Sequence, residues 1–350
     1  MPRVRILPLF LLLLLGFAPC VKAQQKPWPV KIVIVATFER GADTGDIPGE
    51  FQFWVEREHL TETIDFPGGV HPIRSTPDHS IIGIVSGTTL VNATASVMAL
   101  GLDQRFDLSH AYWLMNGIAG VDPHVASLGS AAWASYVIND VSRYIDPKDA
   151  PSDWPYGFFS TGSSRPNELP KTGNPAFDRD VYPLNAALTD WAYSLTKDLK
   201  LGDTPQMQEF RAAYKGLPNA QKPPFVLKGD SFASDYFWHG PVMTQFAHDW
   251  VSLWTQGKGT FAMTEMEDAG VAEAMRRLDK MHRADYQRLM VLRTGSNYCM
   301  PAPGNTAINS LTSPFVGYLP SLESAYTTGN IVIQALLADW PKYYAATPGK

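Results

Sequence analysis

Apolar residues along this chain fall into two patterns. Continuous runs rich in β-branched residues mark strands covered on both faces. Lys31 to Phe38 (KIVIVATF) and His79 to Val85 (HSIIGIV) are of this kind, with shorter candidates at Ala111 to Met115 and Leu289 to Arg293. Apolar residues at steps of three or four mark helices. Leu184, Leu188, Trp191, Leu195 and Leu199 form one such stripe; Val242 to Trp254, Val271 to Met281 and the closing stretch Ala325 to Tyr344 repeat the period. Asn92 to Leu102 reads as a helix of small residues, entered through Ser86-Gly87-Thr88-Thr89. Asn116-Gly117-Ile118-Ala119-Gly120 reads as the turn that ends a strand. Residues 39–78, rich in Gly, Pro and acids, predict long loops with room for a hairpin, and an extended insertion is expected around 145–225. Strand, glycine-bearing turn and helix in alternation predict an α/β sheet with helices packed against it. With no composition break and no internal repeat, one domain over residues 24–350 is expected.

Composition narrows this further. At 350 residues, 45% hydrophobic and 18% charged, the chain is too apolar for disorder and too interrupted for a bundle of membrane helices. A net charge of −5 argues against a nucleic-acid polymer as partner. Residues 1–23 read as a secretory signal: Arg3 and Arg5, then the apolar run Ile6 to Phe17, then Val21-Lys22-Ala23 at the cleavage site. Pro19 before Cys20 argues against a lipoprotein signal. Cleavage would place the mature chain outside the cytoplasm, secreted or periplasmic, and leave Cys299 as the sole cysteine, a small buried residue with no intramolecular disulfide. After residue 23 no uninterrupted apolar stretch is long enough to span a bilayer, so no transmembrane segment is expected in the mature chain.

Standard catalytic signatures are missing. There is no G-x-x-x-x-G-K-[ST], no G-x-S-x-G and no H-E-x-x-H, and the eight histidines are scattered, so neither a metal nor a cofactor is expected. Asn92-Ala93-Thr94 is a glycosylation sequon at the start of a helix, read as chance. His239 beside Trp238 reads as a packed loop residue. Thr264 and Glu267 have the spacing of a capping box ahead of the helix at Val271. That gives the acidic segment Thr264-Glu265-Met266-Glu267-Asp268 an ordinary structural explanation when taken alone.

The order of segments adds a second explanation. Asn116 to Gly120 is followed by Gly229-Asp230-Ser231-Phe232, then by Glu265-Met266-Glu267-Asp268-Ala269-Gly270, then by a strand ending in Ser296-Asn297. In this order the chain resembles the nucleoside phosphorylase and nucleosidase superfamily and, within it, the purine nucleoside permease family. The resemblance implies a nucleoside phosphorylase-like fold with a central twisted mixed sheet, and a purine nucleoside as ligand. It implies Glu267 on the ribose with Met266 packed beneath the sugar, Glu265 as the first acid of the motif, and Phe232 stacked on the purine. Ser86, Gly87, Thr88, Gly117 and Ser296 complete the substrate-binding set.

Departures from the family pattern sharpen the expectation. Where many relatives carry Asp, this chain has Asn297, which donates and accepts hydrogen bonds but transfers no proton at neutral pH. The resemblance then implies a preference for 6-oxopurines. At the positions that hold phosphate in the phosphorylase branch stand Met115 and Ile118, which bind no oxyanion. Water is therefore expected as acceptor, with Glu39 either activating it or lying in a solvated loop. Ser86, Thr88, Thr89 and Arg40 remain as possible phosphate donors. Two alternatives stay open: a nucleoside-binding component of an uptake system, and a preserved fold with a dead site. By analogy with relatives a homo-oligomer is also possible.

Overall fold

In the computed structural model, which describes residues 26–170 and 181–349, the first apolar run becomes the strand Ile32–Ala36, buried along its whole length. It lies between two parallel partners, Ile81–Val85 and Tyr112–Val121. Alternate side chains feed opposite cores, as the two-residue period of a strand requires. Val33, Val35, Ile82, Ile84 and Trp113 pack with the helices Leu90–Leu102 and Asp268–Lys280. Ile32, Ile34, Ile81 and Leu114 pack on the other side with the helix Tyr318–Ala338. Helices on both faces are the reason these strands are apolar throughout.

Among the described residues the main sheet has 12 strands and is mixed. From one edge the order runs Val181–Pro183, Tyr136–Asn139, Asp230–Ala233, Phe261–Glu265, Tyr112–Val121, Ile32–Ala36, Ile81–Val85, Ile73–Ser75 and Glu62–Ile64. The strand Leu289–Tyr298 also joins Tyr112–Val121, in parallel, and leads on through Ala131–Trp133 to Val226–Lys228. The α/β sheet with flanking helices is as expected, and no described helix is long and apolar enough to cross a membrane. Residues 1–23, including Cys20, lie outside the described residues.

Two strands are longer than their apolar runs predict. Tyr112–Val121 continues through Asn116-Gly117-Ile118-Ala119-Gly120, so this segment is strand and not turn. Leu289–Tyr298 likewise includes Ser296 and Asn297, with an irregularity in register between Gly295 and Asn297. Each extends because the other pairs with it: Arg293 lies opposite Gly117, and Thr294 opposite Ile118. Residues 39–78 hold the expected antiparallel pair, Glu62–Ile64 with Ile73–Ser75, and also a short helix, Gln52–Arg57. Within 145–225, Asn185 caps the helix Ala186–Thr196 by accepting from the Leu188 N–H, so Leu184 and Leu199 of the leucine stripe lie outside the helix. The closing stripe divides at Asp339 into Tyr318–Ala338 and Trp340–Ala345.

Candidate functional site

Strand ends converge on one cleft of about 220 Å³. Thr37 and Phe38 follow the first central strand, Thr88 precedes the helix Leu90–Leu102, and Ile118 to Gly120 form the second half of the long central strand. Glu265, Met266 and Glu267 lie where Phe261–Glu265 ends, beside Ser296 and Asn297. Glu50, Arg293, Phe237 and Phe315 complete the wall.

Arg293 organises the floor. Its side chain is buried at 1% exposure and surrounded by four carboxylates. Nη2 lies 2.7 Å from Asp268, 3.0 Å from Glu267 and 3.4 Å from Glu265, while Nη1 is 3.7 Å from Glu50. Nη1 also donates to the Ile118 carbonyl at 3.0 Å. One cation cannot balance four buried anions, so some of these acids hold protons near neutrality. Burial drives Glu50 up from an ordinary 4.5 to about 7, against the pull of Arg293. Burial and the nearby Asp268 also raise Glu265. Ser231 gives an independent sign: its Oγ lies 2.7 Å from both Glu265 Oε1 and Asp268 Oδ2. A hydroxyl has one hydrogen to donate, so the second contact is satisfied when a carboxyl donates back.

The helix Asp268–Lys280 is not started by the capping box. Thr264 lies in the strand, and Glu265 instead accepts from the backbone N–H groups of Glu267 (2.6 Å) and Asp268 (2.7 Å). Those bonds leave Glu267 free of its own helix. Its carboxylate accepts from the Thr89 and Met266 N–H groups, each at 3.2 Å, and pairs with Arg293. Oε1 keeps one lone pair for a ligand hydroxyl.

The expected residues divide by position. Glu267, Met266, Glu265, Thr88, Ser296 and Asn297 line the cleft together. Phe232 does not, which corrects the expected stacking role. Ser231 turns toward the acids, so strand alternation sends Phe232 to the opposite face, fully buried against Trp238, Phe246 and Phe261. Phe38, Phe237 and Phe315 are the aromatics that line the cleft instead. Ser86 is buried and spends its hydroxyl on the Gly87 carbonyl, and Gly87, at φ +81°, forms the turn behind Thr88. Gly117 also lies beneath the cleft surface. A Cβ there would come within 2.3 Å of Glu50 Oε1 and 2.7 Å of Arg293 Nη1, so glycine makes room for the ion cluster.

Met115 is buried in the core and does not reach the cleft, whereas Ile118 lines it and donates its N–H to Glu50 Oε1 at 2.7 Å. Arg40 points elsewhere, its guanidinium over the Tyr318 ring. Glu39 is neither a base in the cleft nor a solvated loop acid: it accepts from the backbone N–H groups of Gly49, Phe51 and Gln52 and ties the 49–52 turn. That turn delivers Glu50, which the sequence reading missed. Glu50 Oε2 accepts from Thr37 through both its N–H (2.7 Å) and its hydroxyl (2.6 Å). An acid directly before the aromatic of a short helix is the only local signal it carries. Arg293 carried even less signal, because it sits within an apolar strand pattern.

The fold is an α/β architecture similar to that of solved nucleosidases. The structure matches the MTA/SAH nucleosidase of Streptococcus pneumoniae in complex with 8-aminoadenine at a TM-score of 0.51 and 14% identity, covering 87% of this chain and 100% of that one. It matches the Helicobacter pylori MTAN-D198N mutant with 5′-methylthioadenosine at 0.51 and 16%, over 87% and 99% of the two chains. The chain belongs to the purine nucleoside permease (NUP) family, whose pattern it matches over residues 29–348. It is 31% identical over 300 residues to the purine nucleoside permease of Candida albicans, spanning 83% of this chain and 73% of that protein. A Schizosaccharomyces pombe protein named a probable purine nucleoside permease is 28% identical over 278 residues, 77% of this chain and 79% of its own.

Proposed function

We propose that the chain hydrolyses the N-glycosidic bond of purine nucleosides, with water as acceptor. One observation carries this reading. Glu50, a buried carboxyl raised to about 7, faces the same cleft as Glu267, while the only cation lining that cleft among the described residues is Arg293, already held by four acids. Such a wall can activate water and offers no free positive charge to a phosphate dianion. The family name and the nucleosidase fold support a purine nucleoside as ligand.

In this mechanism ionised Glu50 takes a proton from water as its oxygen attacks the sugar C1′. The C1′–N9 bond breaks, its electron pair leaves with the purine, and the departing anion takes up a solvent proton. Glu267 accepts a ribose hydroxyl and steadies the oxocarbenium-like charge. Asn297 receives the base. Its Oδ1 already accepts from Ser296 Oγ at 2.9 Å and its Nδ2 donates to the Tyr298 carbonyl at 3.2 Å. One N–H and one lone pair remain: the N–H donates to O6 of a 6-oxopurine, and the lone pair accepts from N7 once the leaving base takes up its proton there. Asn297→Asp should shift the inosine-to-adenosine rate ratio toward adenosine; an unchanged ratio removes Asn297 from recognition of the base.

Incubation of purified protein with inosine or guanosine, with and without phosphate, decides the reaction. Free base without phosphate supports hydrolysis, and strict phosphate dependence makes the chain a phosphorylase. Bound but intact nucleoside supports the second reading, a binding component of nucleoside uptake, which the permease name of the relatives favours. The signal-like residues 1–23 support export, checked by N-terminal sequencing of the secreted chain. Exposed Ile47, Phe315 and Leu319 around a groove beside the cleft support a homo-oligomer, checked by sedimentation.

A further inference from the structure

A second cluster of chemically active side chains lies past the end of the long central strand. Asp122 follows Val121, the last residue of that strand, and its N–H donates to the Ala262 carbonyl at 2.9 Å, which fixes the backbone there. Its side chain is completely buried. Two imidazoles converge on it. His124 Nδ1 lies 2.8 Å from Oδ1, and His248 Nε2, from the helix Pro241–Thr255, lies 2.7 Å from Oδ2. Despite that approach, Oδ2 accepts no hydrogen bond in good geometry. The contact is an oxygen and a ring nitrogen facing each other across a short gap.

One ligand atom from each residue falls within 4.8 Å of the others. The rings are held edge to face, 5.8 Å between centroids, and His248 is backed by Phe261 at 5.3 Å. His248 is half-buried and His124 exposed, so the trio has a dry carboxylate at its base and an opening to solvent. Two imidazoles and one carboxylate are the donor set of a three-ligand zinc site with a vacant fourth position. Tetrahedral bonds of about 2.0–2.1 Å place donor atoms roughly 3.3 Å apart, within the 4.8 Å that already encloses the three ligand atoms. The spacing D-x-H with a distant second histidine matches no linear motif, so the folded chain alone brings the three together.

We propose that Asp122, His124 and His248 bind a divalent transition cation of the zinc type, with water as its fourth ligand. The cation takes the space between the carboxylate and the two ring nitrogens and joins the helix Pro241–Thr255 to the end of the central strand. That strand brings Gly120 to the cleft, and the segment leading into the helix brings Phe237. Metal binding therefore stiffens the aromatic side of the cleft. The site stands independently of what reaction the cleft performs.

The test uses the purified chain, stripped with a chelator and titrated with Co²⁺ and then Zn²⁺. The expected result is one equivalent of Co²⁺ with the visible absorption of tetrahedral coordination, lost when Zn²⁺ displaces it, and a melting temperature raised by Zn²⁺. His124→Ala and His248→Ala should each weaken binding by at least about tenfold, the lower bound for disturbing even an outer-shell partner. His124 is exposed, so its variant retains the fold, verified by circular dichroism. No stoichiometric binding in the wild type overturns the site. Binding undiminished in either histidine variant also overturns it, by placing the cation elsewhere.

Discussion

At the scale of single residues, environment assigns the roles more than residue type does. Glu39 and Glu50 are both acids on the same connection, yet one is spent on backbone N–H groups and the other faces the cleft with a raised pKa. If Glu50 is the base, kcat/KM for nucleoside hydrolysis rises with pH through about 7 as the carboxyl ionises. Glu50→Gln should lower kcat about 100- to 10,000-fold and abolish that limb of the profile. A pH–rate profile of the two proteins checks this; equal rates remove Glu50 from the chemistry. The sequence brought out Glu267, Met266, Ser296 and Asn297, because they sit in short motifs at strand ends. It misplaced Phe232, since a motif gives neighbours in sequence while alternation decides which face each one sees.

Elements carry the next level of control. The helix Asp268–Lys280 starts on Glu265 and not on Thr264, because strand pairing holds Thr264 extended opposite Gly120. This exchange leaves the Glu267 carboxylate available to the cleft. The long central strand makes its own contribution at Gly117, where the backbone runs close over Glu50 and Arg293. Gly117→Ala should destabilise by about 1–3 kcal/mol, as overpacking does in a close-packed interior. It should also depress activity through displaced Glu50. A urea denaturation curve measures the first effect and initial rates the second, and a variant of wild-type stability would show that the cluster yields freely.

Over the whole molecule, the buried acids couple folding to pH. The folded-state pKa of Glu50 lies above its ordinary 4.5, so its contribution is complete below about 4.5 and lost as pH rises to about 7. That loss is on the order of 3 kcal/mol. Glu265 and Glu267 shift in the same direction, chiefly through burial. Asp103 and Asp107 run oppositely, held below the ordinary range by hydrogen bonds from Arg105 and Ser109 that outweigh burial, and their contribution is lost as pH falls through acid values. The urea midpoint should therefore peak on the acid side of neutrality and decline from pH 5 to 8. A midpoint that does not decline across this window would mean the cluster takes up no protons there.

Hydrophobic period alone determined that this chain forms an α/β sheet flanked by helices, since continuous β-branched runs and three-to-four spacing have few other ways to bury themselves. The family resemblance carried by the order of short motifs also grouped Glu267 with Asn297, and both line one cleft. Tertiary structure decided the rest: that Asn116 to Gly120 stays extended through pairing with Leu289–Tyr298, and that Phe232 turns into the core. It also decided that Glu50 and Arg293, more than 200 residues apart in sequence, share one ion cluster. The physical reason is range. Periodicity and capping act over a few residues, whereas a buried charge is set by whatever the fold brings within a few ångströms of it.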